Sequence, residues 1–226
     1  MNKKNNNVFK IAAIAVFIAI AYISSLILPI KVQFLTMDIK DAFITIGALY
    51  FGPLSGVVMS VAVSLLELMF GSDTGIYGFI MNFIGSAAFA TVASLIYTRR
   101  KSLINAVVAL ACAVVCMTTV MLAANLVITP LFMASKGMTA QAIEEMIVPL
   151  LLPFNLFKGI LNMAIVMLLY KPVSVALKNT RISTNIEEKA KLNKYTVIVS
   201  VIAIIIMVLS LLFIFAKLGG VFTIVS

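Results

Sequence analysis

Histidine and tryptophan are missing from this 226-residue chain, and cysteine occurs only twice. Without histidine there is no Ser-His or Cys-His nucleophilic pair and no H-E-x-x-H metal motif. The two thiols, Cys112 and Cys116, stand one helical turn apart inside an apolar run. That placement reads as small buried residues and leaves little for a metal or haem site. A G-x-x-x-x-G-K-[ST] phosphate loop is also lacking, as is any sizeable soluble stretch, so the chain does not itself power work by ATP hydrolysis. Acidic residues are few, eight against 17 Lys and Arg, and they form no obvious catalytic set. Nothing here reads as an enzyme, and no cofactor is expected.

What the chain does have is apolar length. Apolar residues make up 63% of it, charged residues 11%, and the mean hydropathy is +1.17. Several segments run 18 or more residues without a charge, enough at about 1.5 Å per residue to cross a hydrocarbon core of about 30 Å. Backbone polar groups cannot go unpaired in lipid, and the alternation of a membrane barrel is missing, so the fold class is an all-α integral membrane protein. The net charge of +9 does not imply nucleic acid. Twelve of the basic residues, among them Lys3, Lys4, Arg99, Arg100, Lys101 and Lys171, fall in segments placed on one side of the bilayer. This is the positive-inside bias, and it puts the N-terminus in the cytoplasm.

The first span covers residues 11–28 and is too long for a signal-peptide core. Pro29 ends it, and an outer loop follows at 30–41 with Asp38 and Asp41. Gly52-Pro53 divides the next apolar stretch into helices at about 42–52 and 54–70, meeting at the inner face. A fourth helix runs to the Arg99-Arg100-Lys101 cluster, and a fifth spans 103–128, ending before Pro130. Residues 131–149 suit an outer loop with a short amphipathic turn. The sixth helix, 150–170, returns to the inside at Lys171-Pro172. The organisation is thus a six-helix body (1–175), a basic cytoplasmic linker (176–194) and a C-terminal segment (195–226). That segment adds a seventh transmembrane helix, uniformly apolar and facing lipid nearly all round, which leaves the C-terminus outside.

Polar residues inside such spans are costly unless paired or lining a cavity, so they mark candidate sites. Lys158 is the one basic residue within an expected span, and Asn155 and Asn162 share its helix face. Lys158 either snorkels to the outer interface or joins Asn155 and the fifth helix's Asn125 in a small-ligand pocket suited to the carbonyls and nitrogens of a planar heterocycle. Glu67 has three readings: a partner for Lys158, a structural role near residues 71–77, or ligand contact. Asn82 reads as an interhelical hydrogen bond. Ala15 and Ala19 form a small-xxx-small pair that serves internal packing or the docking of a separate membrane subunit.

The order F-G-P-x-x-G at Phe51 to Gly56, G-x-x-x-N-F at Gly78 to Phe83 and P-F-N-x-x-K at Pro153 to Lys158 resembles the substrate-binding S components of energy-coupling factor importers. Among these it looks most like the riboflavin-specific members, over roughly residues 8–175. The resemblance implies a six-helix bundle in the bacterial plasma membrane and a riboflavin or related flavin ligand. Asn125, Asn155 and Lys158 would contact the flavin, with Leu35 and Thr36 covering it. It further implies partners: a transmembrane coupling subunit facing Ala15 and Ala19, and two ATPase subunits. The lack of tryptophan weighs against the thiamine binders. This chain departs from the family at Met37-Asp38-Ile39-Lys40-Asp41, at Glu67 and in its seventh span. Two other classes stay open at this point, a secondary transporter with Glu67 or Lys158 as proton site and a membrane scaffold without a small ligand.

Overall fold

Proline and glycine set the limits of the first elements. Helix α1, Lys3–Ile27, stops just short of Pro29, because a residue preceding proline is driven out of the helical region. In the computed structural model, which describes residues 3–27, 29–71, 74–134, 137, 139–178 and 194–222, the expected outer loop is a β-hairpin. Strands β1 (Ile30–Val32) and β2 (Leu35–Met37) pair antiparallel with Val32 opposite Leu35. Their two-residue turn holds Gln33 at φ 54, the left-handed conformation that tight hairpins favour.

Helix α2 (Lys40–Phe51) ends at Gly52, whose φ of 96 suits glycine and whose N–H donates to the Ala48 carbonyl at 2.8 Å. Pro53 then opens α3 (Pro53–Gly71), where its missing N–H costs nothing. Gly56 allows the close packing that follows: a Cβ there would meet the Ala48 Cβ at 2.9 Å and the Ala90 Cβ at 3.3 Å. The F-G-P-x-x-G motif is therefore a turn plus a contact point for three helices.

Helix α4 is Gly75–Arg99, α5 Leu103–Met133, α6 the short Ala140–Glu145, α7 Leu152–Lys178 and α8 Lys194–Lys217. A π-helical turn, Ile147–Leu151, leads into α7. Strand β3, Val221–Phe222, pairs with the free side of β1. Among the described residues six helices are long and apolar enough to cross a membrane. Helix α2 is not one of them, since its 12 residues reach only about 18 Å. It sits inside the bundle against α1, α3, α4 and α7, and nine of its residues, Lys40 and Asp41 included, are buried. The hairpin feeding it is thereby drawn down into one end of the bundle. The basic turn Arg99 to Lys101 marks the opposite end.

Four expectations change. Helix α5 continues through Pro130 to Met133, and α7 continues through Pro172 to Lys178. Near a helix end in a membrane protein, neighbouring groups can accommodate the missing donor. Cys112 is exposed and Cys116 half-buried, because they lie on a face of α5 turned away from the bundle, where an apolar thiol suits lipid. Helix α8 turns most of its surface outward, as expected of a peripheral helix, but one narrow stripe of it is covered. Ala203, Ser210 and Ile214 are buried at a spacing of seven and four, a seam along which α8 packs on α7. Most of the expected linker, 176–194, falls outside the described residues.

Candidate ligand site at the hairpin end

The short reach of α2 forces charged side chains below the ends of the neighbouring helices, and there they find each other. Lys40 Nζ donates to both carboxylate oxygens of Glu67 on α3, each at 2.7 Å, and lies 3.4 Å from Asp38. On the other side of Asp38, Lys158 of α7 approaches its Oδ2 at 3.1 Å and the Asp41 Oδ2 at 3.9 Å. Asn82 of α4 donates to Glu67 at 2.8 Å, and the Ser86 hydroxyl donates to Asp41. Three carboxylates and two ammonium groups thus form one chain of pairs. Isolated buried charges would be prohibitive, and pairing with added hydrogen bonds makes them tolerable.

Asn162 anchors this chain to the helices. Its Oδ1 accepts from the Ala42 N–H at 2.8 Å, a first-turn donor of α2 whose backbone bond, to the Ile39 carbonyl, is longer at 3.3 Å, and its Nδ2 donates to the Asp38 carbonyl at 3.1 Å. Burial by itself would raise the Asp38 carboxyl, but Lys158 and Lys40 beside it prevail and hold it below the ordinary carboxylate range.

Next to these pairs lies a cavity of about 130 Å³. Helices α4, α5 and α7 form its walls, Asp41 and Ser86 border it, and the hairpin residues Phe34, Leu35 and Thr36 cover it. Tyr77, Phe132 and Phe154 supply aromatic surface, with the Tyr77 and Phe132 rings 6.0 Å apart. Asn82, Asn125, Asn155 and Lys158 all line the cavity. Asn125 donates to the Met121 carbonyl at 2.7 Å and accepts from Thr129 at 2.8 Å, while Asn155 donates to the Leu151 carbonyl at 2.8 Å. These bonds fix both rotamers. By valence, each amide keeps a second hydrogen and acceptor capacity for a guest. Apolar walls with a few oriented polar groups are the usual form of a small-molecule site.

The cavity brings together six of the residues singled out in the sequence: Leu35, Thr36, Asn82, Asn125, Asn155 and Lys158. Glu67 is not on its lining. The pairing of Glu67 with Lys158 is overturned, because Lys40 takes the carboxylate and Lys158 turns to Asp38. Lys158 does not snorkel unpaired, and Asn82 does make the expected interhelical hydrogen bond. Asn162 sits behind the cavity as a brace. Ala15 and Ala19 lie on the exposed side of α1 and so do not serve internal packing. Sequence reasoning placed Lys40 in an exposed loop and thereby missed a central ion. The acid-base-acid pattern Asp38, Lys40, Asp41 directly before an apolar run was the available signal.

The family described as ECF transporter, substrate-specific component, matches residues 9–170, most of the chain. This chain belongs to that family. Two curated relatives match this S component over nearly the whole of their own length. The riboflavin transporter RibU of Staphylococcus aureus (strain TCH60) is 28% identical over 184 residues, covering 79% of this chain and 96% of the relative. The riboflavin transporter FmnP of Bacillus subtilis (strain 168) is 27% identical over 170 residues, covering 71% and 90%. A solved S component of a bacterial ECF transporter superposes with a TM-score of 0.64 at 26% identity, over 76% of this chain and 99% of that one. The chain is accordingly a multi-pass cell-membrane protein of a transport system, a substrate-specific subunit and not a catalytic one.

Proposed function

We propose that this S component binds riboflavin or a closely related flavin at the outer face of the membrane, and releases it inward when docked on a coupling subunit driven by two ATPase subunits. The observation that carries the reading is the cavity under the hairpin, where Asn125, Asn155 and Lys158 meet between aromatic and aliphatic walls. A flavin needs these features: flat apolar surface for the ring and fixed donors and acceptors for its carbonyl and nitrogen edge. Two relatives matched over at least nine-tenths of their own length and named as riboflavin transporters support the same ligand. Positive residues at the end opposite the hairpin support an outward-facing pocket and a cytoplasmic N-terminus. The exposed Ala15 and Ala19 on α1 support that helix as the side offered to the coupling subunit, since small residues permit close approach.

The test is a titration of the detergent-purified protein followed by flavin fluorescence, which no tryptophan signal obscures. Saturable quenching at one site per chain is expected. Asn125→Ala should weaken it about tenfold, the effect of one lost hydrogen bond to a buried polar guest. Lys158→Ala should weaken it more, because it also releases Asp38. No quenching by the unsubstituted protein would remove riboflavin as the ligand.

A further inference from the structure

The C-terminal part of the chain reaches the cover of the cavity, although it lies beyond the family's matched region of residues 9–170. Helix α8 is fastened to α7 by Phe213, stacked on Phe157 with ring centroids 4.1 Å apart and planes 18° apart. Phe157 immediately precedes the cavity residue Lys158. At its far end the α8 backbone closes on itself, the N–H groups of Leu218 and Gly220 both bonding the Ile214 carbonyl at 3.2 Å. Gly219 turns with φ 64. The chain then enters β3, with Val221 opposite Lys31 and Phe222 opposite Ile30 on β1. Gly220 is wedged where these parts meet: a Cβ would lie 2.9 Å from Ile214 Cγ2 and 3.0 Å from Ile30 Cγ2.

A two-stranded hairpin of three-residue strands is marginal by itself, and a third strand is what gives such a ladder independent order. The same hairpin supplies Phe34, Leu35 and Thr36 to the cavity lining. Widening the mouth of the cavity must therefore peel β1 from β3 or carry β3 along, and β3 is tethered by α8 to the helix that bears Asn155 and Lys158. We propose that α8 and β3 are a clamp on the pocket's cover, positioning the β1–β2 hairpin and so setting how long a bound ligand stays. The ligand part of this inference rests on the riboflavin reading, whereas the positioning part does not.

The full-length protein in lipid nanodiscs tests both parts, by amide hydrogen exchange of residues 30–37 without ligand and by the rate of riboflavin release on dilution. Gly220→Val should push β3 off β1, speed exchange in the hairpin, and raise the release rate about tenfold, as for one or two lost net hydrogen bonds, with the association rate changed far less. In the opposite direction, Lys31→Cys with Val221→Cys, in a Cys112→Ser, Cys116→Ser background, places a disulfide at a cross-strand pair whose spacing suits one. Its oxidised form should release ligand more slowly than its reduced form. If Gly220→Val does not fold, the oxidised-to-reduced comparison decides alone. Release rates unchanged in these variants overturn the clamp, whether or not exchange changes. If the unsubstituted protein binds no riboflavin, the ligand reading falls, and hairpin exchange still decides whether β3 positions the cover.

Discussion

The two ends of the bundle are held by different chemistry. At the hairpin end, Lys40, Lys158 and three carboxylates are paired within a few ångströms of a cavity. At the basic end the contacts are rings and small residues. Tyr50 donates to the Tyr170 carbonyl at 3.1 Å and stacks on its ring at 5.8 Å, Tyr97 and Tyr170 share a hydroxyl hydrogen bond, and Gly56 seats against Ala48 and Ala90. Ser94 closes the same region by donating to the Ala48 carbonyl at 2.7 Å. Close contact leaves no room for a guest, whereas ion pairs held by their own geometry can border an opening without collapsing into it. The difference teaches where this protein keeps its ligand space and where it keeps its seal.

The comparison breaks most severely at Lys40. Lys40→Met leaves Glu67 and Asp38 partly unpaired in a buried site and should cost about 3 to 5 kcal/mol, read as a drop in the thermal unfolding midpoint in detergent. Adding Glu67→Leu should recover part of that loss, since an apolar pair is tolerated where a lone charge is not. At the other end, Gly56→Val forces a side chain between α2, α3 and α4 and should cost about 1 to 3 kcal/mol. The folded fraction should keep its ligand affinity, and a parallel loss of affinity would mean that the two ends are not independent. Tyr170→Phe removes one shared hydroxyl bond and should cost about 1 kcal/mol, again without effect on titration of the pocket.

Acid gives the mildest perturbation near neutrality. Asp38 is held below its ordinary value of 3.8 in the folded protein, so it contributes stability that is fully present above that value and disappears as pH falls through the lower, folded one. Unfolding midpoints should be flat with respect to this group from pH 8 to about 5 and decline only in stronger acid. Asp38→Asn should remove that acid-dependent part of the decline. An unchanged profile would show that another carboxylate carries it.

Much of the site was legible because intramembrane polar residues are rare. Asn125, Asn155 and Lys158 stood out against their apolar surroundings, and they do line one cavity. Glu67 stood out for the same reason, but of its three readings the pairing with Lys158 fails, because Lys40 takes the carboxylate. Spacing along α7 cannot reveal that α2 is too short to keep Lys40 at the surface.

By itself, then, the sequence determined the all-helical membrane class, the breaks at Pro29 and Gly52-Pro53, and the face of α7 that carries Asn155 and Lys158. Each follows from local backbone rules or from the cost of polar groups in lipid. Only the tertiary structure decided which acid met which lysine, how the cavity closed, and that the C-terminal strand lies on β1. Those outcomes depend on the relative depth of helices distant in the chain, and pairing between strands some 190 residues apart leaves no periodic trace in either segment.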